Sequence, residues 1–154
     1  MTTLHLALEF GSLDGGDLFD GVLATVLYFL VGVAVLAVGF VVLDALTPGD
    51  LRAQVYTERN GSAAVLLAAN HLALATIVVT SILTSSDGLA QGLVDSAVYG
   101  LLGVALQAIA LRLLDAVVPG HLRAIVHDSH VSGAAWAIAA TLLAVGAVNA
   151  AALS

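Results

Sequence analysis

Asp44 and Asp115 are the residues whose type and placement most directly offer chemistry. Each closes a long apolar run, and each stands just before a Pro-Gly pair, Pro48-Gly49 and Pro119-Gly120. An ionised carboxylate costs ~2.5–3.5 kcal/mol at the centre of a membrane helix and less toward its end. The C-terminal end of a helix is also the wrong end of the macrodipole for an anion. A costly choice made twice has two readings. One is a cation or proton site between the copies. The other is an acid that fixes the helix exit by pairing or by capping the loop. Arg112 lies three residues before Asp115 on the same helical face and can pair with it locally. Asp44 has Val41 at the matching place, so its expected partners are Arg52, or Arg123 from the other copy. The two acids are therefore expected to be unequal. Asp115 reads as a mainly neutralised structural acid, and Asp44 as the more perturbed and more functional one.

Other polar side chains stand out against the apolar background. Asn70 and His71 fall in the middle of an apolar segment and are the candidates for a proton-linked pair. Gln107 and Asn149 sit in similar surroundings, where a polar group usually bonds between helices for about 0.6–2 kcal/mol. His127 and His130, with His121 nearby, have ligand types at a spacing a metal would accept. The equivalent positions of the first copy are Tyr56 and Arg59, so a solvated loop is the preferred account and no metal or other cofactor is expected. No Ser-His-Asp order, phosphate-binding glycine loop or zinc-peptidase motif is present, and an enzyme is not expected.

The elements that must position these residues are apolar. Of 154 residues 60% are hydrophobic and 10% charged, against about 25% charged in soluble domains. Such a chain has too little polar surface to cover itself in water, and a lipid bilayer is its implied solvent. Without cysteine it forms no disulfide or thiolate site. With four arginines and no lysine it has no nucleic-acid footprint. Four segments, near 18–46, 62–83, 93–118 and 133–153, exceed the ~20 residues needed to cross hydrocarbon as helices. The first and third are long enough to tilt or to project from the membrane. Alanines spaced by four, among them Ala64, Ala68, Ala135 and Ala139, suit close helix packing. Residues 1–17 form an acidic lead-in without the basic start of a signal peptide. Residues 84–92 link two halves, 18–83 and 93–154.

The linkers carry turn chemistry. Pro48 ends the first helix. Thr47, Pro48 and Asp50 fit the N-cap, N1 and N3 positions of a short amphipathic helix over 48–57. Arg52, Arg59, Arg112 and Arg123 all cluster at the two Pro-Gly linkers. Positive charge stays cytoplasmic, so both linkers are expected inside and both termini outside.

The two Pro-Gly linkers belong to a repeat. A shift of 71 positions superposes Asp44 on Asp115, Pro48-Gly49 on Pro119-Gly120 and Gly32-Val33-Ala34 on Gly103-Val104-Ala105, with about twenty identities and no gap. Each copy is a helical hairpin, so the copies share one orientation. They should be related by a pseudo-twofold along the membrane normal. In the second copy Val118 replaces Thr47 and Val131 replaces Asn60, which makes its linker the looser one. The tandem hairpin with its aspartate and Pro-Gly exit resembles the bacterial membrane family called domain of unknown function 350, the YjfL-like inner-membrane proteins. That resemblance implies an all-α integral protein of the bacterial or archaeal cytoplasmic membrane, and members often lie beside membrane-stress genes. It implies no chemistry. The sequence as a whole reads as an oligomeric four-helix membrane protein that passes or senses a small cation or proton. The competing reading is a non-conducting scaffold that recruits a cytoplasmic protein through 48–61 and 119–132.

Overall fold

The computed structural model describes residues 15–47, 49–86, 88–117 and 131–154. They form α1 (Gly15–Leu46), α2 (Leu51–Tyr56), α3 (Gly61–Leu83), α4 (Leu89–Val117) and α5 (Gly133–Leu153). The acidic lead-in through Asp14, together with Pro48 and residues 118–130, lies outside the described residues.

α1, α3, α4 and α5 contain 32, 23, 29 and 21 residues, and all four are long and apolar enough to cross a membrane. At about 1.5 Å per residue even α5 spans a ~30 Å hydrocarbon core. Their outer faces are apolar as well. Phe19, Phe29, Leu72, Leu83, Trp136 and Val148 are all more than half exposed. In water such a surface would aggregate; against lipid tails it is solvated.

Capping side chains set the helix starts. Asn60 Oδ1 accepts from Ala63 N at 3.0 Å to begin α3, and Ser132 Oγ accepts from Ala135 N at 3.1 Å to begin α5. Two expected boundaries move. α4 starts at Leu89, inside the expected linker, where Asp95 collects the Ser86 hydroxyl and the Gln91 amide at 2.7 Å each. α2 starts at Leu51 with Asp50 as its cap, not Thr47. The Thr47 hydroxyl instead donates back to Leu43 O at 2.8 Å and belongs to the end of α1.

α3 is the hub. It packs most extensively on α5 and also against α4, α1 and α2, while α1 rests on α4 and α3. Exchange of two equivalent hairpins would match the α3–α4 contact with one between α1 and α5. No comparable α1–α5 packing exists among the described residues. The sequence repeat is therefore not repeated at this interface.

The register of the second copy also shifts. α3 buries Ala63, Leu66, Asn70, Leu74 and Ile77, and α5 buries Ala135, Ile138, Leu142, Gly146 and Asn149. These faces match at a spacing of 72, from Ala63 to Ala135, rather than the 71 that relates the aspartates. One extra residue between Asp115 and Ser132 accounts for it. Asn70 and His71 thus correspond to Leu142 and Leu143, not to Thr141 and Leu142.

Cohesion within lipid must come from close packing, because lipid tails are as apolar as leucine. The tightest place is Gly146 on Ala73: a β-carbon at 146 would fall 2.5 Å from Ala73 Cβ and 2.8 Å from its Cα. Ala69 and Ala73 of α3 are buried here. Ala135 and Ala139 are buried in this seam, whereas Ala68 is exposed in a lateral groove of about 330 Å³ with Val65, Leu72 and Trp136. Hence Gly146→Leu should lower detergent-phase unfolding stability by ~1–3 kcal/mol or more, the usual overpacking range. Ala68→Leu should leave it nearly unchanged. Equal effects in thermal unfolding would refute this seam.

Candidate functional site

The exit of α1 is built around two carboxylates. Asp44 is half-buried, and its Oδ1 accepts from Leu51 N at 2.8 Å. Asp50 Oδ1 accepts from Ala53 N at 2.9 Å. Both acids thus satisfy orphan amides at the positive end of α2. Gly49 turns the chain between them at φ +99°, a conformation that favours glycine, and a β-carbon there would run into the Gln54 amide. Leu51 is completely buried against the bundle, so this turn seats α2 on α3. Among the described residues Asp44 engages a backbone amide, and Arg123, the second of its expected partners, lies outside them. Asp115 is half-buried at the corresponding place in α4 and is likewise engaged. Arg112, expected beside it, is exposed along a lateral groove with Leu46, Ala108, Ile109 and Leu113. Pro119, Gly120, Arg123, His127 and His130 lie outside the described residues. Among the described residues no group of three His, Asp or Glu could hold a metal.

Asn70 and His71 part company. Neighbours on a helix point about 100° apart, so one faces the interior and the other the flank. His71 is half-buried, and its Nδ1 lies 3.0 Å from Leu67 O. A carbonyl only accepts, so the Nδ1–H donates in this bond. The ring sits 6.1 Å from that of Phe40 and lines a lateral cleft with Phe40, Arg52 and Tyr56.

Asn70 is buried and joins Gln107 in lining a small cavity between α1, α3 and α4, about 10 Å³ in volume, with Leu43, Leu46 and Leu111 also in its walls. That is room for about one water. Gln107 is 2% exposed. Its Nε2 donates to Leu142 O at 2.9 Å, while its Oε1 is buried with no partner. Asn149 Nδ2 and Ser96 Oγ are also buried without partners. Asn149 faces Gly103, one helical turn from Gln107 along α4. Ser96, Gly100, Gly103 and Gln107 share the buried face of α4. Measured along the helix axes, Gln107 and Asn70 stand roughly 15 Å from the arginine-bearing end, Asn149 roughly 24 Å and Ser96 roughly 30 Å. The interior therefore carries a vertical series of small and neutral polar groups. Neutral amide and hydroxyl oxygens can pass a proton through water or partly solvate a small cation, without the charge that would trap it.

The sequence reading gave Gln107 and Asn149 only a packing role. The available signal was the spacing 96, 100, 103, 107, which puts small and polar residues on a single α4 face.

These features define a small helical membrane protein with four candidate spans and a tightly packed, polar-seamed interior. The chain belongs to the family described as Domain of Unknown Function (DUF350), which it matches over residues 17–153. It is 44% identical over 151 residues to a UPF0719 transmembrane protein of Mycolicibacterium paratuberculosis, covering 98% of this chain and all of that relative. It is 48% identical over 147 residues to UPF0719 transmembrane proteins of Mycobacterium bovis and Mycobacterium tuberculosis, covering 96% of this chain and 97% of each. No solved structure matches the chain.

The Asp44 geometry gives a direct expectation. Asp44→Ala removes the acceptor for Leu51 N and should cost ~1–2 kcal/mol, as loss of a helix cap does. Asp44→Asn keeps an oxygen in place and should cost less than half of that. Thermal unfolding with limited proteolysis of the 48–61 segment reads both; equal losses would mean that charge, not capping, is what Asp44 supplies.

Proposed function

We propose that this membrane protein passes or senses a small cation or proton, and that the buried seam of Ser96, Asn149, Gln107 and Asn70 is its working element. Asp44 and Asp115 stand at the arginine-bearing end of that seam and present acidic groups where a cation would enter or leave. The observation that carries the reading is Gln107. Its Oε1 is buried and unpartnered beside Asn70 at a water-sized cavity. A buried acceptor costs ~1–3 kcal/mol unless a partner reaches it, and the cavity beside Gln107 has room for about one water. The interior cavity is too small to be an open pore, which favours single-file transfer or sensing over bulk flow. In this reading the cytoplasmic side carries the linkers, both termini are outside, and the chain works as a homo-oligomer of duplicated hairpins, 18–83 and 93–154.

The test is flux into liposomes loaded with pH- or cation-sensitive dye, comparing intact protein with Gln107→Leu, Asp44→Asn and Asp115→Asn. Gln107→Leu removes the orphan oxygen at similar volume, so its unfolding temperature should hold or rise while flux falls toward that of empty vesicles. Unchanged flux in this variant would remove the seam from the mechanism. No flux of protons, sodium or potassium by the intact protein would leave the non-conducting scaffold, with a cytoplasmic partner on 48–61 and 119–132.

A further inference from the structure

A second site lies on the flank of the bundle and is independent of the interior seam. α2 is short, but its two faces differ sharply. Leu51 and Gln54 are buried, while Arg52 and Tyr56, one turn apart, are exposed. They overhang the lateral cleft of about 550 Å³ whose other walls are Phe40 of α1 and His71 of α3. A second crevice of about 200 Å³ adjoins it, sharing Tyr56 and His71 and bounded by Ala64, Leu67 and Ala68. His71 is ten residues, roughly 15 Å, beyond the start of α3, and Phe40 is six residues, roughly 9 Å, before the end of α1, so the floor of the cleft lies below the helix ends. With α2 at the membrane surface, the rim would meet headgroups and the floor acyl chains.

The chemistry changes with that depth. At the rim are the Arg52 guanidinium, with its fork of N–H donors, and the Tyr56 hydroxyl. Below them the walls are Phe40, Leu67 and alanine. Among the described residues no carboxylate lines either cavity. Asp44 is held on Leu51 N, Asp50 on Ala53 N, and Glu58 is exposed beyond the end of α2; none of the three lines either cavity. The cleft therefore presents one positive charge above an apolar slot. A free phosphate would have no use for the slot, and a zwitterionic lipid would bring a cation to Arg52. We propose that this cleft binds an anionic phospholipid, with its phosphodiester on Arg52 and Tyr56 and an acyl chain along Phe40, Leu67 and the His71 ring. The repeat does not duplicate the site, because Leu111 and Leu143 stand where the first copy has Phe40 and His71. One lipid per chain follows.

Native mass spectrometry of the full chain in mild detergent tests this, with titration by phosphatidylglycerol or by phosphatidylcholine of the same acyl chains. One phosphatidylglycerol per chain should be retained in preference to phosphatidylcholine. Arg52→Gln should weaken its binding roughly five- to tenfold, the scale of one basic residue at an anionic surface. Tyr56→Phe should weaken it less. Arg59→Gln, which changes an exposed arginine of the same linker, should leave binding intact. Because Arg52 is exposed, the lipid-free unfolding temperature of Arg52→Gln should match that of the intact chain, separating lost binding from lost fold. Equal retention of the two lipids would overturn the proposal. So would equal weakening by Arg52→Gln and Arg59→Gln, which would mean general electrostatics. Competition by glycerol phosphate at the lipid concentration would overturn the lipid identity.

Discussion

The contact on which the rest of the structure depends is the close approach of α3 and α5 at Ala73 and Gly146. Between apolar helices in lipid there is no hydrophobic gain, because each side chain exchanges one hydrocarbon neighbour for another. What remains is dispersion at short range, which rises steeply as backbones approach. Gly146 allows that approach, and the capped starts of α3 and α5 at Asn60 and Ser132 hold the two helices level. The Ser132 amide even donates to Ser62 Oγ at 3.2 Å, stitching the two starts together. α4 then lies on this pair through Gly103 against Ile77, and α1 closes the side through Gly39 against Leu74. Each of these contacts sets a small residue against a larger one.

The polar interior follows from the same geometry. A buried amide in hydrocarbon is tolerable when it reaches a backbone carbonyl, as Gln107 Nε2 reaches Leu142 O. Its other end has no such solution, nor do Asn149 Nδ2 and Ser96 Oγ. Ser96 and Gln107 share the small-residue face of α4 and Asn149 faces it from α5, so these buried polar groups lie together in the interior. That is the physical case for function in the interior rather than at the helix exits. At the exit of α1, Asp44 and Asp50 share the first amides of α2.

Much of the architecture was legible in the sequence. Four apolar runs and the Pro-Gly exits located the spans to within a few residues, because backbone satisfaction in lipid permits little but helix. The duplicated Asp44 and Asp115 marked the helix ends. Less legible was anything decided by rotation about a helix axis. Identity of sequence aligned the copies at 71, but burial follows the caps, and the caps are 72 apart. Asn70-His71 read as one polar pair, yet the helix separates them into an interior amide and a lateral imidazole. Alanines spaced by four were readable on both helices, and Ala73, Ala135 and Ala139 lie in the seam, but with both partners apolar the pattern did not say that Ala68 would turn outward. Asp44 was assigned an arginine because charges pair in sequence diagrams; the fold offered a nearer backbone amide, which no residue identity encodes.

The central claim is that small ions or water reach the buried face of α4. The absence of cysteine permits a clean measurement. Single cysteines are introduced at Gln107, Asn149 and Ser96 on the seam, and at Leu106 and Ile109 on the lipid face, and the protein is kept in membranes. Each variant is exposed to silver ion, a thiol-reactive cation of alkali-metal size, and the remaining free thiol is counted after denaturation. Protection of the three seam thiols from later labelling, with the two lipid-facing thiols left free, is the expected result. Free thiols at all five positions would mean that the seam is dry packing and would contradict the claim.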